Sequence, residues 1–151
     1  MLTSLLSLDQ FAFNLTTAPY HELQRHRQWK HPKKSRIGVR DSRQYTGQGD
    51  DTITLHGMVA PQAIGSIASI KRLADMADTG DGYVLVDGMG VVYGVFVITS
   101  LNETQRYHTP EGVPKKIDFT LTLERVDDDA LRVDQEPDAN TEDEEGNDDA
   151  K

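Results

Sequence analysis

The glycine-rich stretch VLVDGMGVVYG, residues 84–94, is the first candidate for chemistry, because closely spaced glycines can cradle a phosphate. A dinucleotide-binding fingerprint needs its third glycine three residues after the second, and a helix must begin there. Here Gly94 follows Gly90 by four residues, and the chain continues into β-branched and aromatic residues that favour a strand. The stretch therefore predicts a tight turn between two strands and not a nucleotide site.

Several aspartates surround this stretch. Asp78, Thr79 and Gly80 spell the tripeptide of aspartic proteases, but the sequence holds no second copy to share a proton in a catalytic pair. Asp78, Asp81 and Asp87 also lack the alternating oxygen spacing of a calcium-binding loop. We interpret them as turn residues.

The histidines do not form a metal-binding pattern. His21, His26 and His31 recur every five residues, an interval that alternates faces on a strand and turns by about 140° on a helix. His56 and His108 stand alone, and no serine lies in a nucleophile elbow. The sequence predicts neither an enzyme nor a cofactor or metal site.

Charge divides the chain into two parts. Residues 127–151 carry twelve acidic and two basic side chains, whereas residues 1–126 carry 14 basic and 13 acidic ones. Beyond Val133 no bulky apolar residue remains, so this end cannot bury enough surface to offset the entropy of ordering. We therefore predict a folded domain over residues 1–126 and an acidic, disordered C-terminal tail over residues 127–151.

Basic residues are concentrated between positions 25 and 43, where eight Lys or Arg side chains are accompanied only by Asp41. A basic patch is one mark of nucleic-acid binding, but no recognition helix or zinc knuckle accompanies it. We favour a solvated or subunit-facing surface. A nucleic-acid-binding module remains the alternative from another class, and its affinity would fall steeply with added salt.

Targeting signals are also weak. The chain has no cysteine, which excludes disulfides and fits assembly in the cytoplasm. The first ten residues lack a positive n-region and a cleavage site, and no run of 18 apolar residues occurs. We expect neither secretion nor membrane insertion.

Period-two patterns predict mostly strands. The predicted strands begin with residues 11–15 and with an exposed or edge ribbon over 20–31. A hairpin follows, formed by 35–47 and 52–59 around a turn at 47–51, and after it come the two strands around 84–94. A last hairpin is formed by 100–108 and 115–126, joined by the turn 109–114. One amphipathic helix is predicted, with Pro61 in its first turn and Gly80 at its end. The fold class is α+β: a mostly antiparallel curved sheet, or a small barrel or sandwich, with the helix packed on it.

Six segments, in this order and spacing, closely resemble the tail protein U family of contractile-tailed temperate phages, prophages and tail-like bacteriocins. They are SRIGVRD at 35–41, GDDTITLHG at 49–57, LADMADTG at 73–80, LVDGMGVVYGVFVI at 85–98, NET at 102–104 and EGVPKKIDFTLTLERVD at 111–127. The resemblance covers roughly residues 11–128. The histidine-rich segment 20–31 and the acidic tail depart from it.

The resemblance implies a non-enzymatic virion component with a tail-tube-like fold. It implies a homohexameric ring that joins the baseplate hub protein to the tail tube protein and initiates the tube, in a virion tail assembled in the bacterial host cytoplasm. The alternative is a terminator ring that completes the tube at the neck. The resemblance implies no small-molecule substrate and no membrane, and DNA would only pass through the lumen.

Four basic residues flank predicted strand starts and are not expected to be buried unpaired. We take Arg36, Arg40, Lys115 and Lys116 as candidate contacts to acidic surfaces on adjacent subunits or rings.

Overall fold

The computed structural model describes residues 4–128, which hold nine β-strands and one α-helix. In chain order these are β1 Leu6–Leu8, β2 Phe11–Phe13, β3 Tyr20–Lys30, β4 Lys33–Lys34, β5 Ser42–Arg43, β6 Gly47–Val59, α1 Ile67–Asp78, β7 Tyr83–Asp87, β8 Val92–His108 and β9 Pro114–Arg125. The predicted acidic tail lies outside the described residues except for Asp127 and Asp128, so its boundary stays a prediction.

Seven of these strands form one antiparallel sheet in the order β2-β1-β7-β8-β9-β6-β3, and β4 pairs with β5 separately. The predicted α+β class, a mostly antiparallel sheet with one helix, is confirmed. The barrel alternative is not: within residues 4–128 the sheet is open, with β2 at one edge and β3 at the other. Closure would have to pair the three residues of β2 with the eleven of β3.

The core lies on one face of the sheet, where β6 and β9 contribute alternate residues. Ile53 lies opposite Leu123, and Leu55 lies opposite Leu121, and all four are buried. Between them, the other face carries polar side chains such as the His56 ring, whose Nδ1 lies 3.2 Å from Thr120 Oγ1. The period-two pattern of the last strand thus predicted the buried face correctly.

The helix is shorter than predicted at its N-terminus. Ser66 is the N-cap, and its side-chain oxygen accepts a hydrogen bond from the Ser69 amide. Pro61 is therefore not in the first turn: Ala60 and Ile64 close a tight loop there, with the Ile64 amide donating to the Ala60 carbonyl at 2.7 Å. The C-terminal end is as predicted, because Gly80 adopts φ +69°.

The predicted turn within residues 84–94 is confirmed between β7 and β8. The Asp87 carboxylate accepts hydrogen bonds from the amides of Met89 and Val91, at 2.8 and 2.9 Å, which makes it a turn aspartate. β8 then continues for 17 residues, pairs first with β7 and then along β9, and forms the predicted last hairpin. The open tip of this hairpin is residues 109–113.

Two predictions about the N-terminal half are wrong. Residues 35–47 are not one strand: they contain the turn between β4 and β5, where Gly38 adopts φ +75°. Residues 47–51 are not a turn, because β6 begins at Gly47 and pairs with β3 and β9. The short strand β1, which pairs with β2 and β7, had no sequence prediction.

Candidate interaction surfaces

The four predicted contact residues lie toward opposite ends of the sheet. β6 runs from Gly47, which pairs with Lys30, to Val59, which pairs with Ile117. Lys115 and Lys116 therefore lie near one end, and the connection that carries Arg36 and Arg40 leaves the other end. The twelve residue steps of β6 from Gly47 to Val59 span about 40 Å at about 3.3 Å per step. We call the end with Lys115 and Lys116 the hairpin end, and the end with Arg36 and Arg40 the basic end.

At the basic end, the structure brings Arg36 and Arg40 together. The Arg36 guanidinium donates two hydrogen bonds to the Arg40 carbonyl oxygen, from Nε at 3.2 Å and from Nη2 at 2.8 Å. Arg36 thus closes the loop between β4 and β5. Arg40 is exposed and makes no ion pair within residues 4–128, so its side chain is available to a partner.

At the hairpin end, Lys115 and Lys116 differ in their surroundings. Lys116 Nζ lies 3.8 Å from Asp118 Oδ1, and Arg106 Nε lies 3.7 Å from the other oxygen of that carboxylate. Successive side chains of a strand point to opposite faces, so Lys115 is on the other side of β9. It is exposed and has no ion pair among the described residues.

A groove of about 520 Å³ opens at the basic end between β3, β6 and the residues after β9. Arg25 forms one of its walls and donates from Nε to Asp51 Oδ1 at 3.0 Å and from Nη2 to Oδ2 at 2.7 Å. The guanidinium also lies 5.2 Å from the Tyr93 ring centre. The hydrogen bonds from Arg25 lower the pKa of Asp51, and the charges of Arg125 and Arg27 lower it further, against the effect of burial.

The rest of the groove is lined by two arginines, three aspartates and one tryptophan, among other residues. The Arg27 guanidinium lies 5.8 Å from the Trp29 ring centre, and Trp29 is exposed. On the opposite wall, Arg125 lies against Gly94, where a Cβ would come within 2.8 Å of Nε. Arg125 also approaches Asp128 at 3.9 Å. The groove therefore combines cationic side chains with the last described residues of the chain.

Exposed apolar side chains accompany the charges at the basic end. Ile37 and Val39 lie in the turn between β4 and β5, and Ile37 is fully exposed. Met89 and Val91 occupy the turn between β7 and β8, which leaves the sheet at the same end. Apolar side chains surrounded by charge are typical of protein contact surfaces.

The edge strand β3 is a third exposed surface. It pairs only with β6 within residues 4–128, so its outer backbone groups have no strand partner there. The prediction of an exposed or edge ribbon is confirmed. Glu22 and Arg27 are exposed on it, and the register shifts at two places along its length. Charges and bulges both discourage indiscriminate pairing of an edge.

The residues considered for catalysis and metal binding do not converge. Within residues 4–128 no three His, Asp or Glu side chains are grouped so as to hold a metal ion. The His26 ring lies 3.1 Å from the Gln28 amide nitrogen, and the His31 ring is 5.2 Å from that of Tyr45. Among the described helices, none has the length and apolar composition needed to span a bilayer.

The Arg25–Asp51 pair was missed by sequence reasoning. In the sequence Arg25 is one of eight clustered cations, and Asp51 falls within the predicted turn 47–51. Thr52, Thr54 and His56 alternate with buried residues along β6, and Asp51 has the next position in that alternation, on the side of Ile53. This pattern could have placed the Asp51 carboxylate on a strand.

Comparison with known proteins gives one curated relative and matches among solved structures. A protein named "Probable tape measure protein" of Halomonas phage phiHAP-1 is 33% identical over 129 residues, which cover 85% of this chain and 15% of the relative. A chain of the tail of an empty gene transfer agent particle, refined with C6 symmetry, matches with a TM-score of 0.55 at 12% identity. The match extends over 92% of that chain and over 83% of this one.

A chain of the native gene transfer agent virion matches over the same shares, with a TM-score of 0.55 at 13% identity. At these identities the two structures show a shared fold. The sequence itself carries the family assignment, because the family model described as Phage P2 GpU matches residues 9–128. The chain belongs to the Phage P2 GpU family, a family of phage tail proteins.

Proposed function

We propose that this chain is a structural virion protein that forms a homohexameric ring, joins the baseplate hub to the tail tube and initiates tube assembly. The observation that carries the proposal is the shared fold with a chain of a gene transfer agent tail refined with C6 symmetry, over 92% of that chain. Membership of a phage tail family supports the virion location. The function is mechanical and electrostatic and involves no catalysis.

Lateral contacts within the ring would use the edge of β3. Its eleven residues offer backbone donors and acceptors along one side of the subunit. A ring buries such edges between neighbours and leaves none free, since cyclic symmetry closes on itself. The charged side chains of β3 make this a polar contact that depends on a matching neighbour.

Axial contacts would use the two ends of the sheet. A ring between a hub and a tube needs two different faces, and this subunit presents Arg36 and Arg40 at one end and Lys115 and Lys116 at the other. Both pairs are basic, so each would meet an acidic surface on an adjacent ring. The exposed Ile37 adds an apolar contact at the basic end.

Averaged electron images of whole tails test the ring. The expected result is sixfold density at the position of this protein, with a central lumen. Any other symmetry at that position contradicts the ring.

The position in the tail needs a separate experiment, because a terminator at the neck also needs one tube-like face. Tagged-protein microscopy should give signal at the baseplate end, and deletion of the gene should leave no assembled tubes. Signal at the neck, with tubes of irregular length in the deletion mutant, would instead identify a terminator.

A further inference from the structure

The basic end carries cations that the described fold leaves uncompensated. Of the eight Lys and Arg residues between positions 25 and 43, Arg25 alone has a carboxylate within 4.0 Å inside residues 4–128. The other seven are exposed: Arg27, Lys30, Lys33, Lys34, Arg36, Arg40 and Arg43. Their mutual repulsion favours any anionic segment that reaches them.

The described chain ends in the groove that borders these cations. Asp127 and Asp128 line the groove together with Arg27 and Trp29, and Asp128 approaches Arg125 at 3.9 Å. Lys30 directly follows Trp29 and begins the connection that carries the remaining cations. The described chain therefore ends beside the basic end, and the acidic segment follows it in sequence.

The segment that follows has the complementary charge. Residues 129–151 carry ten Asp or Glu against two basic side chains, a net charge of −8, and the densest run is 142–149. The 13 intervening residues, 129–141, can span about 20 Å as a random coil and at most about 45 Å when fully extended. Such a tether gives a local concentration on the order of millimolar at the basic end.

We propose that residues 129–151 bind the basic end of their own chain. A single exposed ion pair contributes little to binding, so the contact is multivalent and exchangeable. It is also sensitive to salt, because the screening length falls from about 10 Å at 0.1 M to about 3 Å at 1 M. The inference concerns the isolated chain and does not depend on the proposed ring.

Carbodiimide crosslinking of the full-length chain tests the contact, since this reagent joins touching carboxylates and lysines without a spacer. At micromolar protein and low salt, mass spectrometry should find crosslinks from residues 134–149 to Lys30, Lys33 and Lys34. The matched controls are the exposed Lys71 on α1 and Lys115 at the hairpin end, which should give none. The crosslinks should be lost at about 1 M NaCl.

Two further arms identify the occupant. In an equal mixture of ¹⁵N-labelled and unlabelled chains, each crosslink should join peptides of one isotope, and mixed pairs would assign the basic end to a second copy and overturn the proposal.

In a variant with Glu142→Gln, Asp143→Asn, Glu144→Gln and Glu145→Gln, acetylation of Lys33 and Lys34 at low salt should become faster. Equal crosslinking of Lys71, no crosslinks at all, or unchanged acetylation would also overturn it.

Discussion

Arg25 does not pair with the residue opposite it in the sheet. Ile53 is its ladder partner, but its guanidinium reaches two positions along β6 to hold both carboxylate oxygens of Asp51. The Asp51 side chain is 11% exposed and that of Arg25 is 23% exposed. This shielding distinguishes the pair from the more exposed ion pairs of Lys116, Arg106 and Arg125.

Replacing Asp51 with Asn should lower the free energy of unfolding by about 1–2 kcal/mol at pH 7, because Asn accepts only one of the two hydrogen bonds from the Arg25 guanidinium and its amide nitrogen faces the other donor. Urea unfolding measures the change. The matched control is Asp50→Asn, which removes the same charge from the adjacent, exposed residue and should change the value by less than about 0.5 kcal/mol. Equal losses in both variants would refute a specific role for the Arg25–Asp51 pair.

The same pair predicts a pH dependence. Arg25 lowers the pKa of Asp51 below its usual value of 3.8, so the contribution of the carboxylate is complete above that value and is lost as the pH falls through the folded pKa. The difference in unfolding free energy between the native chain and Asp51→Asn should stay constant from pH 7 to about 5 and shrink below about pH 4. A difference that shrinks already near neutral pH would contradict the lowered pKa.

Gly57 should tolerate no side chain. A Cβ there would overlap the Phe119 ring, with Cε1 at 2.7 Å, and would also collide with the Pro19 carbonyl oxygen. Phe119 is buried in the core, so neither neighbour can move freely. Gly57→Ala should cost about 1–3 kcal/mol in urea unfolding. Thr54→Ala, on the open face of the same strand, is the control and should change stability by less than about 0.5 kcal/mol.

The sequence predicted correctly those strands and turns whose structure is set by their own residues. β9 lies between β8 and β6, and its strict alternation of Ile117, Phe119, Leu121 and Leu123 predicted both the strand and its buried face. The turn at Asp87 was predictable because its glycines and aspartate act locally. Both signals reside in the residues of the element itself.

The errors arose where long-range contacts decide the structure. Residues 47–51 contain two glycines and two aspartates, which locally favour a turn, yet they extend β6 because β3 lies alongside. Likewise, Pro61 is suited to a helix start, but Ser66 caps the helix after the loop at Ala60 has formed. The Arg25–Asp51 pair joins residues 26 positions apart, a separation that single-sequence patterns do not report.

Ile37 should matter for assembly and not for folding. Its side chain is fully exposed, so Ile37→Ser should leave the unfolding free energy within about 0.5 kcal/mol of the native value. If the basic end contacts an adjacent ring, the same change should reduce the number of assembled tails in electron micrographs. Ile37→Val keeps an apolar side chain and should restore assembly. Normal tails with Ile37→Ser would show that this side chain is only solvated.

The folded domain should be independent of the acidic segment. Residues 134–151 contain no bulky apolar side chain, so at about 1 M NaCl, where their contact with the basic end is screened, their deletion should leave the thermal unfolding midpoint unchanged. Limited proteolysis of the full chain should shorten the C-terminus first. Early cleavage between Ile53 and Val97, which lie in β6 and β8, would contradict a stable core over this region.

Charge reversal at the hairpin end gives the most direct test of the predicted contact residues. Lys115 has no carboxylate partner within residues 4–128, whereas Lys116 lies 3.8 Å from Asp118. Lys115→Glu therefore changes only what a partner would meet. Lys116→Glu also sets two carboxylates side by side, with Arg106 as the remaining cation.

We expect Lys115→Glu to impair tail assembly while the monomer keeps its native unfolding midpoint, because repulsion replaces attraction at an acidic neighbouring surface. Lys115→Gln should give an intermediate defect, since it removes charge without reversing it. The control is Lys71→Glu, an equal reversal on the exposed side of α1, which should assemble normally. Tails that form equally well with Lys115→Glu and Lys71→Glu would show that Lys115 contributes no more than a solvated surface charge.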